Sequence, residues 1–181
     1  QSGVLYDPQS GYAVGAPSAV VYVLGSETPR ATLDSIAASR GGLYYALVDP
    51  INRSQVVAVR PDGTTTNAAG VFTSASLGLD ASTATVSISA ELNMIAADPQ
   101  AANITFATAP NSTPIPLNSG VSNFSGSVNL INQDSGGQLA AQTSGMFIGP
   151  NAGRVGITMN FSDPSVGQVG AGAVLERSHV P

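Results

Sequence analysis

The side chains that most readily do chemistry are scarce in this chain. It holds a single histidine, His179, no cysteine and no lysine, so all six basic residues are arginines. A hydrolytic serine needs a base beside its hydroxyl. His179 stands third from the end of the sequence, where fraying is expected, and no Gly-x-Ser-x-Gly elbow accompanies it. The acidic residues Asp7, Asp49, Asp62, Asp80, Asp98, Asp134 and Asp163 fall in turn-like segments, and four of them, Asp7, Asp49, Asp98 and Asp163, directly precede proline. Such residues start turns by bonding their own backbone, which is a different task from a facing acid–base pair. Glu91 is read as a solvated charge on the outer face of a strand. With one histidine and no thiol, only oxygen donors suited to Ca²⁺ remain, and no Asp-x-Asp-x-Asp-Gly loop organises them. Asp134-Ser135-Gly136-Gly137 reads as a hairpin turn instead. Glycine patterns for dinucleotides or phosphates are absent. The expectation is therefore no catalytic residue, no metal and no enzyme.

The tyrosines offer a different chemistry. Tyr6, Tyr12, Tyr22, Tyr44 and Tyr45 all lie in the first 45 residues. Adjacent residues on a strand point to opposite faces, so Tyr44 and Tyr45 divide between inside and outside. Tyrosine and arginine suit a protein interface, and tyrosine can also serve as an axial haem ligand. The competing reading is ordinary core and rim aromatics. Gly149-Pro150-Asn151-Ala152-Gly153 reads as a rigid turn, with Pro150 fixing φ and Asn151 tolerating left-handed geometry; its alternative role is a loop shaped for a partner. Candidate ligand-binding residues are Tyr22, Tyr44, Tyr45, Asn151 and Arg154. Haem is the one candidate cofactor, through Tyr44, Tyr45 or His179. Met146 and Met159 are expected in the core.

Composition narrows the class. Only 9% of the 181 residues are charged and the net charge is −5, against a usual charged share of about a quarter. An acidic, lysine-free chain is poorly suited to phosphate backbones, so no nucleic-acid partner is expected. No apolar run approaches the roughly 20 residues of a membrane helix, so no direct membrane insertion is expected. The abundance of Ser, Thr, Ala, Gly and Asn, without Lys, Cys or Trp, suggests an extracytoplasmic bacterial protein. Gln1-Ser2-Gly3 has neither a charged leader nor a lipidated cysteine, as expected of a mature or excised piece. Asn-x-Ser/Thr triplets begin at Asn52, Asn103, Asn111, Asn123 and Asn160; they would accept glycans only in a secreted eukaryotic protein.

The elements that must position these residues are strands. Ala19 to Leu24, Leu43 to Val48, Gln55 to Arg60 and Val71 to Leu79 are short β-rich runs, with Pro61-Asp62-Gly63 as a turn. Thr83 to Leu92 alternates most clearly: Val86, Ile88, Ala90 and Leu92 face one way, Thr85, Ser87, Ser89 and Glu91 the other. Ala102 to Thr108 precedes a proline-rich break from Pro110 to Pro116. Asn123 to Ile131, Gln138 to Ile148, Val155 to Phe161 and Gln168 to Leu175 complete the strands. Gly126, Gly145 and Gly172 are read as bulges or tight bends. One helix is expected, with Thr28 as cap and Pro29 at its first position, a Leu33, Ile36, Ala37 stripe, and a stop at Gly41-Gly42. It would cover one barrel end.

Four pieces from about residue 70 onward then fall in a familiar order. They are Ala75-Ser76-Leu77-Gly78-Leu79-Asp80 with Thr85-Val86-Ser87, Phe124-Ser125-Gly126-Ser127, Gly145-Met146-Phe147-Ile148-Gly149-Pro150-Asn151-Ala152, and Gly170-Ala171-Gly172-Ala173-Val174-Leu175-Glu176-Arg177. The third is similar to a Gly-x-Phe-x-Gly-Pro-x-Ala signature. Together they resemble the β-barrel domain of bacterial transferrin-binding-protein-B-like surface proteins. Gly153-Arg154-Val155-Gly156 departs from that family's acidic residue and glycine pair, and Ala81 stands where it has Phe. The fold expected is all-β, an antiparallel, approximately eight-stranded β-barrel with a short N-terminal helix or irregular segment. Residues 1–69 would supply N-terminal strands and the helix within the same domain, and 70–181 the family-like barrel portion. The resemblance implies a non-enzymatic module at a bacterial cell surface, outer-membrane-associated or periplasmic, that recognises a protein partner. Haem or small-ligand capture in iron acquisition is the alternative, and an adhesin or envelope scaffold a third.

Overall fold

The computed structural model describes residues 21, 23, 25–67, 69–98 and 100–178. Helix α1 (Arg30–Arg40) leads into strand β1 (Gly42–Ala46), a helical turn α2 (Pro50–Arg53), β2 (Ser54–Val59), β3 (Thr65–Asn67) and β4 (Gly70–Asp80). These are followed by β5 (Thr85–Met94), β6 (Ile104–Thr108), β7 (Ile115–Pro116), β8 (Asn123–Asn132), β9 (Gln138–Ile148), β10 (Arg154–Asp163) and β11 (Gly167–Ser178). Every pairing is antiparallel. The wall runs β1-β4-β5-β6-β8-β9-β10-β11 and closes on itself where Tyr45 of β1 pairs with Arg177 of β11. Closure into a barrel removes the exposed edges that an open sheet would carry.

Two positions in the wall are filled by broken strands. On β11, β1 covers Glu176 to Ser178 and β2 covers Gln168 to Ala173, with α2 spanning the interruption. On β5, β6 covers Glu91 to Met94 and β7 covers Thr85 and Val86, with the proline-rich stretch between them. Prolines cannot donate to a ladder, so the chain leaves the wall there and returns.

Alternation fills the interior. Val86, Ile88, Ala90 and Leu92 of β5 all point inward. They meet Phe72, Phe106, Phe124, Phe147, Leu130, Ile157 and Met159, all fully buried. A barrel of about eight strands has room for packed side chains or for one small ligand, and here side chains occupy it. Each fully buried Phe or Leu contributes about 1.5–3 kcal/mol relative to exposure. Helix α1 stoppers one end by burying Leu33 and Ala37 in the same core, and Gly41 ends it with φ 73°.

Several local expectations change. Pro29 is the N-cap of α1, without a side-chain capping bond, and Thr28 Oγ1 donates to Gly149 O at 2.6 Å instead. Gly126, Gly145 and Gly172 sit in regular register; the bulge is at Phe72/Ser74. Those glycines serve close approach: a Cβ on Gly145 would strike the Phe124 ring, and one on Gly126 would strike Ile115. Met159 is core, whereas Met146 lies half-buried on the outer face. Of the run from Ala19 to Leu24, Val21 and Val23 are not in a strand, and the other four residues lie outside the described ones. Val21 packs outside the barrel with Val57 and Val59. Val21 and Val23 rest on Gly172 and Gly156, and Glu27 bridges to Ile148.

Candidate functional site

The barrel has two unlike ends. At one, connections join β2 to β3, β5 to β6, β8 to β9 and β10 to β11, and their carboxylates hold backbone. Asp62 Oδ1 accepts from Thr64 N and Oγ1 at 2.9 and 2.7 Å, Asp98 Oδ1 from Gln100 N at 2.9 Å, and Asp163 Oδ1 from Ser165 N at 2.9 Å. Asp134 Oδ2 takes the amide of Thr105 at 3.0 Å. At Asp62 the amide and hydroxyl of Thr64 hold the carboxyl below its ordinary range. The carboxylates are turn formers, as their spacing implies.

At the helix-capped end, the structure divides the two adjacent tyrosines. Tyr45 points inward and is 1% exposed, with its ring edge-on to Phe147 at 5.5 Å. Its hydroxyl donates to Ala152 O at 2.8 Å. Burial pushes the phenol well above its usual range, opposed only in part by the charge of Arg177. Tyr45 is thus a core residue whose hydroxyl is engaged inside the protein, and it presents no haem ligand to solvent. Tyr44 points outward, 54% exposed, with its ring against Gly78. Tyr22, and also His179, Tyr6 and Tyr12, lie outside the described residues.

The Gly149–Gly153 segment is a locked turn. Gly149 has φ 89° and Ala152 φ 47°, so the left-handed residue is Ala152 rather than Asn151. Ala152 is fully buried, which leaves space for little beyond a methyl. Arg177 Nη1 donates to Asn151 O at 2.8 Å, and Arg177 N to Gly153 O at 2.9 Å. The turn's backbone is thereby committed to the barrel, while the Asn151 side chain stays at the exposed surface.

Arg154 opens β10 directly after this turn. Its side chain is 57% exposed and its Nε lies 3.7 Å from Glu176 Oε1. The same oxygen is held at 2.6 Å by Arg53 of α2, so Arg53 takes the closer share of that charge. Arg154 pairs with Glu176, Glu176 with Ala46, and Tyr44 with Ser178. Tyr44, Arg154 and Glu176 therefore share the outer face of the closure seam, and Val48, 59% exposed, follows β1. Sequence reading found Tyr44, Asn151 and Arg154 but missed Val48, Arg53 and Glu176. Only strand closure brings these together, and no short motif announces it.

Two clefts flank the same end. One, of about 300 Å³, is lined by Gly41, Gly42, Tyr44, Gly78, Asp80 and Ser87, with Leu79 at its base. The other, also about 300 Å³, runs along α1 past Arg30, Asp34 and Ala81 and shares Leu79 and Asp80 with the first. Among the described residues, no group of three or more His, Asp or Glu side chains is placed to hold a metal ion, and no helix is long and apolar enough to cross a membrane.

No protein-family model matches the chain, and no curated protein matches it. Solved structures do. The isotype 1 transferrin binding protein B from serogroup B Neisseria meningitidis superimposes with a TM-score of 0.50 at 17% identity, over 86% of this chain and 28% of that one. A transferrin binding protein B mutant from Haemophilus parasuis gives a TM-score of 0.51 at 14% identity, over 87% and 29%. A double mutant of that protein gives 0.50 at 15%, with the same coverages. The chain thus spans under a third of the length of the proteins it matches. In fold it resembles transferrin binding protein B, as the four sequence pieces imply.

Proposed function

We propose that the chain is a non-enzymatic recognition module of a bacterial cell-surface protein, and that it holds a protein partner on the closure seam and the adjoining Gly149–Gly153 turn. The observation that carries this reading is the pairing of a filled interior with a featured rim. Because aromatic and aliphatic side chains occupy the barrel, a ligand must be met on the outside. Tyr44, Val48, Asn151 and Arg154 combine there an aromatic ring, an aliphatic group, an amide and a lightly engaged cation. Aromatics and arginine are the residues that most often anchor protein interfaces. The structural neighbours are named for binding transferrin, which supports a place in iron acquisition and, with it, a location outside the cytoplasm, outer-membrane-associated or periplasmic.

A photo-crosslinking residue placed at position 44 or 154 of the surface-displayed protein tests this. Covalent capture of one discrete protein from host serum is expected at both positions and not at position 127, on the outer face of β8. Equal labelling at all three, or none at 44 and 154, would overturn it.

A further inference from the structure

We propose that the cleft bounded by Tyr44, Asp80 and Ser87 is a binding site for a neutral saccharide, a ligand class distinct from the protein partner of the seam. Three features of the cleft point to a polyol. The first is an open aromatic wall. Tyr44 is 54% exposed and lies against Gly78, with a Cβ built on that glycine 3.4 Å from Tyr44 Cε1. One edge of the ring is thereby steadied by backbone while the rest stays accessible. An aromatic face is electron-rich and attracts the positively polarised C–H groups of a sugar ring.

The second is a floor made of main chain. Gly41, Gly42 and Gly78 line the cleft, and none of them carries a side chain of its own to fill it. The left-handed Gly41 ends α1, so the chain turns here and opens the space beside Tyr44. A side chain on Gly42 would meet Leu79 O at 2.8 Å, so this approach tolerates only glycine.

The third is the balance of hydrogen-bonding groups. Asp80 Oδ1 accepts from Ser82 N and Ser82 Oγ, both at 2.7 Å, and these bonds with those of Thr83 keep the carboxyl ionised. A carboxylate offers about four acceptor sites over two oxygens, so Asp80 can receive ligand hydroxyls while anchored at the hairpin. Ser87 is exposed on β5, in register with Gly78 beside Tyr44. Its hydroxyl both donates and accepts.

Charge selects a neutral ligand. Asp80 repels anions, and the neighbouring Arg30 does not offset it. Arg30 Nε is bonded to Asp34 at 2.7 Å, and its Nη1 donates to Asn118 O and Val121 O. Organic cations are captured by several rings around one charge, whereas here a single ring faces hydroxyl and backbone groups. The volume of about 300 Å³ stands at the lower limit of small-ligand sites. The second cleft shares Leu79 and Asp80 with it and lies along α1, so further sugar units have a neighbouring surface to meet.

The test is titration of the ¹⁵N-labelled protein with neutral tri- and tetrasaccharides of glucose, galactose and mannose, read at the amides of Gly41, Gly42, Gly78 and Ser87. Sialyllactose and choline serve as the anionic and cationic probes. At least one neutral oligosaccharide is expected to shift these amides saturably. Tyr44→Ala should weaken it about tenfold or more, the scale of one stacked ring, while Tyr44→Phe retains it. Ser87→Arg, at an exposed position two strands from Tyr44, should block the saccharide, while capture of the protein partner read at position 154 stays intact. Silence of these amides toward every neutral sugar at millimolar concentration would overturn the proposal. So would binding indifferent to Tyr44→Ala and Ser87→Arg, or a response to choline or sialyllactose alone.

Discussion

The hydroxyl of Tyr45 donates to the carbonyl of Ala152 at 2.8 Å across 107 residues of sequence. That bond ties β1, where the barrel closes, to the turn between β9 and β10. The partner of the outward-facing Tyr44 is therefore an internal brace, and the rigidity of the recognition surface depends on it.

Removing the hydroxyl leaves a buried carbonyl without its partner, which costs about 1–3 kcal/mol. Tyr45→Phe is expected to lower the free energy of unfolding within that range while the ring stays packed on Phe147. Tyr45→Ala, which also empties a core position, should cost about 3–5 kcal/mol. Urea denaturation of the two variants beside the parent checks both.

The same burial makes the protein sensitive to alkali. The Tyr45 phenol is raised above its unfolded value, so its contribution is complete below about pH 10. It is lost as pH rises toward the folded value. The denaturation midpoint should fall at pH 10–11, and less steeply in Tyr45→Phe. An identical slope in the two proteins would contradict this.

In acid the sign reverses. Asp62 and Asp80 are lowered by bonds from their turns, so their contribution is present above about pH 4 and declines as pH falls below it. Asp62→Asn should flatten the acid limb of the stability curve and lower stability near pH 7 by the share that the parent loses in acid. Denaturation midpoints from pH 7 down to pH 3 are the measurement.

Ala152 is buried at φ 47°, where a β-branched residue is strained and has no room. Ala152→Val is expected to destabilise by about 2–4 kcal/mol. Gly145→Ala, whose methyl would reach to 2.7 Å from Gly156 O and into the Phe124 ring, should cost about 1–3 kcal/mol. Thermal unfolding of both variants shows whether the signature from Gly145 to Ala152 is a packing device.

Much of this fold was legible because its signals are local. The alternation of Val86, Ile88, Ala90 and Leu92 shows a half-buried strand within ten residues, and Leu33 with Ala37 before Gly41 marks a short helix. The bulge at Phe72/Ser74 and the turn Pro50–Arg53 escaped because they depend on how β1, β2 and β4 share the wall. Glycine carries the same ambiguity: Gly145 and Gly172 read as bends, yet they lie flat and make room for Phe124 and Val21. Of the candidate site, the opposite facings of Tyr44 and Tyr45 followed from strand geometry alone. The neighbourhood of Arg154 did not, because Glu176 arrives from the last strand and Arg53 from the first third of the chain.

The most direct measurement of the recognition claim is the affinity for the protein captured through position 44 or 154, compared between Arg154→Glu and Ser127→Arg. Arg154→Glu is expected to weaken binding about tenfold or more by reversing a charge at the contact, with Ser127→Arg unchanged. Undiminished affinity in Arg154→Glu together with loss in Ser127→Arg would place the contact on the opposite wall and contradict the account.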